Sequence, residues 1–180
     1  IGLFVPLVEL QYSLPYRCLI MKGHLMRLIL IRHGDAAMAA NDDTRSLNET
    51  GRHEAAILGR WLGKLNFDSP TLWHSNKART LETGKIIIEN AGWSTTPIET
   101  QGLRPSSPPD EIALHIEAED SDLVIVGHMP FMSGMASTLV SGSPSNTHWD
   151  FATCAALILQ RSGREQWIVQ AFTRPGLIDH

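Results

Sequence analysis

Arg32, His33 and Gly34 follow directly on the apolar run Leu28-Ile29-Leu30-Ile31. A guanidinium is a planar fork of donors that matches a phosphate, and an imidazole can attack phosphorus and carry the phosphoryl group. Gly34, without a Cβ, would let an anion approach the backbone. Two further groups occupy similar places. Ser75 comes after the short apolar segment Thr71-Leu72-Trp73, with Arg79 one turn into the helical segment that follows, and His128 comes after Leu123-Val124-Ile125-Val126-Gly127. One histidine to attack, two arginines to hold the non-bridging oxygens and a second histidine to add a donor make a coherent phosphoryl-transfer set. Each residue alone has a blander reading: an arginine after a strand is usually a solvated charge, and a histidine there is more often a hydrogen-bonded structural group. Their joint occurrence at three strand ends is what points to a site.

Such residues need a scaffold that brings strand ends together. Buried parallel strands read as continuous apolar runs, and open α/β sheets bind ligands just outside the carboxyl ends of their strands. From Met26 onward strand-like and helix-like segments alternate, which predicts an α/β fold with a largely parallel sheet. The polar stretch from Asp35 to Leu47, with Asn41, Asp42, Asp43 and Arg45, reads as a loop beside the site. Asn48 is a plausible N-cap for a first helix in which Ala55, Leu58, Trp61, Leu62 and Leu65 recur at helical spacing, ending near Leu65-Asn66. A second helix runs from the Ser75–Thr80 segment to about Asn90, with Gly92 as its stop. Pro108-Pro109-Asp110-Glu111 opens a third, and a fourth spans about Pro130 to Val140. Ala155–Gln160 and Gln166–Phe172 read as a closing pair of strands joined through Ser162-Gly163.

A chain of 180 residues has room for one domain with a substantial core. A hydrophobic content of 43% with 19% charged residues is that of a globular protein. The net charge of −4 and pI near 6.0 argue against broad nucleic-acid binding, though a few arginines can still converge in a local basic pocket. Cys18 and Cys154 give no disulfide framework, which fits a reducing cytosol, and the apolar setting of Cys154 marks it as a core residue. No stretch reaches the roughly 20 apolar residues of a membrane helix, and no H-E-x-x-H spacing favours a metal. His24, His53, His74, His115, His148 and His180 lack comparable context and read as surface or loop residues. Residues 1–25 read as an N-terminal extension outside a functional domain of residues 26–180. Ile1 to Leu10 is apolar but carries Glu9, and it lacks the basic start and cleavage site of a secretory signal; a short interfacial anchor is the alternative.

Leu30-Ile31-Arg32-His33-Gly34 resembles the RHG signature of the histidine phosphatase superfamily, the phosphoglycerate mutase-like fold. Ser75-x-x-x-Arg79-Thr80-x-x-Thr83 is similar to its second arginine segment, and Val126-Gly127-His128 to its second-histidine segment. Arg32-His33-Gly34-Asp35-Ala36-Ala37, Arg45-Ser46-Leu47 and Gly127-His128-Met129-Pro130 resemble the SixA-type phosphohistidine phosphatases, over about Met26 to Phe172. The resemblance implies a three-layer α/β sandwich, with a mostly parallel central sheet flanked by helices. It implies His33 as nucleophile, Arg32 and Arg79 as the phosphate grip, and His128 facing the phosphate. Arg45 would sit at the mouth of the pocket, with Gly34 and Ser75 lining it, and neither metal nor organic cofactor would be needed. The implied partner is a phosphorylated histidine-containing protein domain, such as the phosphotransfer domain of a histidine kinase in a cytoplasmic phosphorelay, with no nucleic acid or membrane involved. Two departures stand out. Asn76 replaces a proline common in relatives, and Met129 follows His128 where one branch has its acidic proton donor. Two rival functions remain: a small-molecule phosphomonoesterase drawing on Asp35, Asp43 or Glu82 as acid, and a phosphohistidine-binding module without turnover. A mere binder would need only the arginines, so His33 speaks against the second.

Overall fold

Alternation along the first strand decides the two faces of the core. A computed structural model of the protein describes residues 25–145, 148–163 and 166–179. The extension expected before Met26, apart from Leu25, lies outside them, as do Cys18, His24 and His180. In strand β1 (Arg27–Arg32) Leu28 and Leu30 point into one apolar cluster, while Ile29 and Ile31 point into another. Strand β4 (Leu123–Gly127) repeats the pattern, with Leu123 and Ile125 on the first face and Val124 and Val126 on the second. Both strands are buried on two faces, which is why each reads as an unbroken apolar run.

Helices cover both faces. Helix α1 (Glu49–Gly63) brings Ala55, Leu58 and Leu62 to the second cluster, and helix α2 (Ala78–Ala91) adds Ile87. Helix α3 (Pro109–Glu117) brings Ile112 and Ile116 to the first cluster, and helix α4 (Phe131–Ser141) adds Met132 and Met135. Strand β2 (Thr71–His74), the two-residue strand β3 (Ile98–Glu99), and the long strands β5 (Ala156–Gly163) and β6 (Gln166–Thr173) complete a six-stranded sheet of order β3-β2-β4-β1-β5-β6. Strands β3, β2, β4 and β1 run parallel, β5 runs antiparallel to β1, and β6 runs antiparallel to β5. The expected three-layer sandwich is thus present, with a mixed edge. A short helix α5 (Pro175–Ile178) ends the described chain.

Register places the site. Arg32 lies beside Gly127 and His74 beside Val126, so the carboxyl ends of β1, β4 and β2 finish level on one edge. The His33 amide donates to the Gly127 carbonyl at 2.9 Å, tying the two histidine-bearing ends together. Asn48 caps α1 through its side chain, accepting from the Gly51 amide at 2.8 Å, and Gly92 closes α2 in the left-handed region with φ of 71°. Helix α1 stops at Gly63, short of the expected Leu65-Asn66, because Lys64 and Leu65 bond back into its last turn. One expectation needs correction: His74 is no surface residue. It ends β2 in the interior, only 4% exposed, with its Nδ1 2.7 Å from the Ser75 carbonyl.

Candidate active site

The loop leaving β1 sets the ring of His33. Its Nδ1 lies 2.7 Å from the Gly34 carbonyl, a contact in which only the ring nitrogen can donate. Nε2 is left with the lone pair, and the Arg79 Nε–H donates to it at 3.2 Å. Burial lowers the His33 pKa to about 4, with the charges of Arg79, Arg32 and Arg45 adding to the effect against the opposing Gly34 hydrogen bond. Near neutral pH His33 is therefore a neutral imidazole with its nucleophilic nitrogen aimed at an arginine.

His128 stands across from it, the ring centroids 5.0 Å apart at 61°. Its Nε2 is 2.6 Å from the Ser75 hydroxyl, which also receives the Lys77 amide at 3.3 Å and lies 3.0 Å from the Thr80 hydroxyl. Burial lowers the His128 pKa to about 3, with His33, Arg79 and Lys77 adding to the effect. Among the described residues three buried side-chain polar atoms lack a hydrogen-bond partner, and two belong here: His128 Nδ1 and Arg32 Nε. Arg32 is held by its Nη1, which donates to the Phe151 carbonyl at 2.7 Å. A buried polar atom without a partner is costly. An anion with acceptor oxygens would satisfy the Arg32 donor and, in its Nδ1–H form, His128 as well.

The structure assembles Arg32, His33, Arg79 and His128 as the sequence suggests and redefines three neighbours. Gly34 serves packing more than anion approach. Its amide donates to Thr83 at 3.1 Å, and a Cβ there would meet the Gly51 carbonyl at 2.8 Å and Cys154 Sγ at 3.1 Å. Ser75 is buried with its hydroxyl engaged by His128, so it orients that ring. Arg45 reaches the mouth of the site but spends its donors on the Ala36 and Ala37 carbonyls and on Asp42. Cys154 is a core thiol pushed upward in pKa by burial.

Lys77 and Asp42 were not singled out from the sequence. Lys77 is 7% exposed and its Nζ contacts Asp42 and, at 2.6 Å, Asp43. Asp42 also accepts from Arg79 Nη2 and from Arg45, each at 3.3 Å. The available signal was a lysine between Ser75 and Arg79, opposite an Asp-Asp pair in the polar loop. The other acids considered are engaged. Asp35 accepts from Asn48 and from the Ala36 amide, and Glu82 from the Leu47 amide and Arg52. Asn76 takes up Arg104 at 3.2 Å, and Met129 packs on the apolar core. A cleft of about 350 Å³ opens beside Ser75 and Asn76, walled by Glu99, Thr100, Leu103 and Arg104. Among the described residues no cluster of His, Cys, Asp or Glu is placed to hold a metal ion, and no helix is long and apolar enough to cross a membrane.

The structure thus gathers paired histidines and arginines at the parallel edge of an α/β sheet. Residues 28–105 match the model of the histidine phosphatase superfamily (branch 1). The fold of the chain superposes on that of the protein histidine phosphatase SixA complexed with tungstate, with a TM-score of 0.77 at 20% identity, covering 84% of this chain and 99% of that one. It also superposes on the SixA-named protein of Agrobacterium tumefaciens, with a TM-score of 0.70 at 23% identity, covering 85% of this chain and 100% of that one. An acid phosphatase of Mycobacterium tuberculosis is 37% identical over 65 residues, spanning 33% of this chain and only 32% of that protein.

Proposed function

We propose that this protein is a phosphatase that removes the phosphoryl group from phosphohistidine on a protein domain, working through a phosphoenzyme on His33. The observation that carries the reading is the state of His33: a neutral ring, Nδ1–H held by the Gly34 carbonyl, and Nε2 presented between Arg79 and His128. In the first step the Nε2 lone pair attacks phosphorus and the phosphorus–nitrogen bond to the substrate breaks. A substrate ring protonated on its other nitrogen takes that electron pair and leaves as neutral imidazole. In the second step water attacks the phosphoenzyme, His33 departs neutral and phosphate is released with the protons of the water. Arg32 and Arg79 supply charge-assisted hydrogen bonds to the phosphoryl oxygens, strongest as the group moves in flight.

The choice of a phosphoramidate rests on the acids. An ester expels an alkoxide that needs a proton. Here Asp35, Asp43 and Glu82 are all tied to other groups, and Met129 stands after His128. A phosphohistidine needs no such donor. The similarity to an acid phosphatase favours a second reading, a small-molecule phosphomonoesterase, with the cleft beside Ser75 receiving the leaving group. A phosphorelay partner and a cytosolic location accompany the first reading.

The test compares hydrolysis of a phosphorylated histidine-containing transfer domain with a panel of phosphate esters, alongside His33→Ala. The phosphoprotein should be cleaved fastest, activated aryl phosphates slowly and sugar phosphates hardly at all. Rapid quenching should trap an acid-labile phosphoenzyme in the parent and none in His33→Ala. Fast turnover of sugar phosphates would select the monoesterase, and binding without a phosphoenzyme would leave only a recognition module.

A further inference from the structure

Arg79 offers one edge of its guanidinium, Nε and Nη2, to the reacting groups. Nε donates to His33 Nε2, the atom that would carry phosphorus, while Nη2 donates to Asp42 Oδ2 at 3.3 Å. A phosphoryl group on His33 Nε2 would meet this same edge, whose Nη2 now bonds Asp42 Oδ2. The same Asp42 oxygen is held by Lys77 Nζ, an ammonium that is 7% exposed and reaches no other anions than Asp42 and Asp43 among its recorded contacts. Burial alone would make that ammonium harder to keep charged, yet the two carboxylates more than offset this and raise its pKa. The lysine charge is also felt by His128 across the site. Around the nucleophile and this loop there are thus five cations, Arg32, Arg45, Lys77, Arg79 and Arg104, against two carboxylates, Asp42 and Asp43. That balance leaves room for a dianion.

We propose that Lys77 is a further phosphoryl-binding residue and that the Asp42 carboxylate is an internal stand-in for the substrate oxyanion, holding Lys77 and Arg79 until the phosphoryl oxygens replace it. The proposal rests on the phosphatase reading of the site but concerns only how the oxyanion is bound. Asp42 is suited to yield: its side chain is 54% exposed and it belongs to a three-residue 3-10 turn, Asp42–Thr44, in the loop between β1 and α1. Lys77 is fixed just before α2, where it can pass from one anion to the next without leaving the site.

The test is calorimetric titration of tungstate and of inorganic phosphate into the parent protein, Asp42→Asn and Lys77→Met at low ionic strength. Lys77→Met should weaken both anions about tenfold, as expected for loss of one close charge. Asp42→Asn should tighten them several-fold, because the competitor is gone while the cations remain. Kinetically, Lys77→Met should raise KM more than it lowers kcat. Circular dichroism confirms that each variant is folded. Unchanged or tighter binding in a folded Lys77→Met would make the lysine a mere clamp for the loop, and weaker binding in Asp42→Asn would make the aspartate an organiser of the cations; either overturns the proposal. Should Lys77→Met not fold, the proposal is decided by Asp42→Asn together with Lys77→Arg, which should keep oxyanion affinity within a few-fold of the parent; a larger loss overturns it. A protein that binds no oxyanion at all fails on both counts. Oxyanion binding that responds as stated, without any hydrolysis, defeats the phosphatase reading and leaves this one standing.

Discussion

At the scale of single residues, the guanidinium groups differ in how far the protein has committed them. Arg79 is 5% exposed and touches the nucleophile, and Arg32 has a buried Nε without a hydrogen-bond partner. Arg45 is bonded chiefly to backbone carbonyls of its own loop. Arg32→Lys and Arg79→Lys should therefore each lower kcat/KM by about 100-fold, since a lysine keeps the charge and loses the planar fork. Arg45→Ala should cost roughly 10-fold or less, mainly in KM. Steady-state kinetics on the best substrate check the ranking, and equal losses at all three positions would refute it. The residues whose role is visible from their neighbours in sequence, Arg32, His33 and His128, were legible because a strand end announces them. Lys77 and Asp42 were not, because their pairing spans 35 positions and depends on how one loop folds across another. His74 misled for a related reason: at the end of a short strand, only the neighbouring strands decide whether it is covered.

At the scale of elements, the contact that aims His33 is a close crossing of backbone between the β1 loop and the start of α1. Gly51 faces Asp35 so tightly that a Cβ would overlap the Asp35 carbonyl and lie 2.6 Å from its amide. The Gly51 carbonyl in turn lies against Gly34. Gly51→Ala should destabilise the protein by about 2 kcal/mol or more, because backbone rather than a flexible side chain must move. It should also lower activity out of proportion to that loss, since the shift passes directly to Gly34 and His33. Denaturant titration and kinetics on the folded fraction test both parts, and a stable, fully active variant would show that the crossing can relax. The central strands and four main helices could be read from apolar runs, caps and proline starts. The two-residue strand β3 could not, because Ile98 and Glu99 are exposed and only pairing with Trp73 and His74 makes them a strand. The reversed sense of β5 beside a parallel set likewise depends on which edges remain open.

For the whole molecule, the neutral histidines tie the site to stability. His33 and His128 have ordinary values near 6.5 when unfolded and about 4 and about 3 in the fold, above all because burial disfavours their charged forms. Between those limits the unfolded chain binds more protons than the folded one. Stability from these groups is therefore complete above about pH 6.5 and declines as the pH falls through 6.5 toward 4. Asp42, held down in pKa first by its hydrogen bond to Lys77, acts in the same direction only below the usual carboxylate range, and its exposure makes that contribution small. Unfolding free energy should thus drop by on the order of 2 kcal/mol for each ring between pH 7 and pH 5, before carboxylates contribute. His128→Asn should flatten that part of the curve by removing one of the two titrating groups, and so should His33→Asn. Urea midpoints at half-unit pH steps measure this directly. A parent protein equally stable at pH 7 and pH 5 would mean that burial does not hold the two rings neutral below pH 6.5, and the share of His33 able to attack phosphorus would then fall as the pH drops through 6.5 rather than through 4.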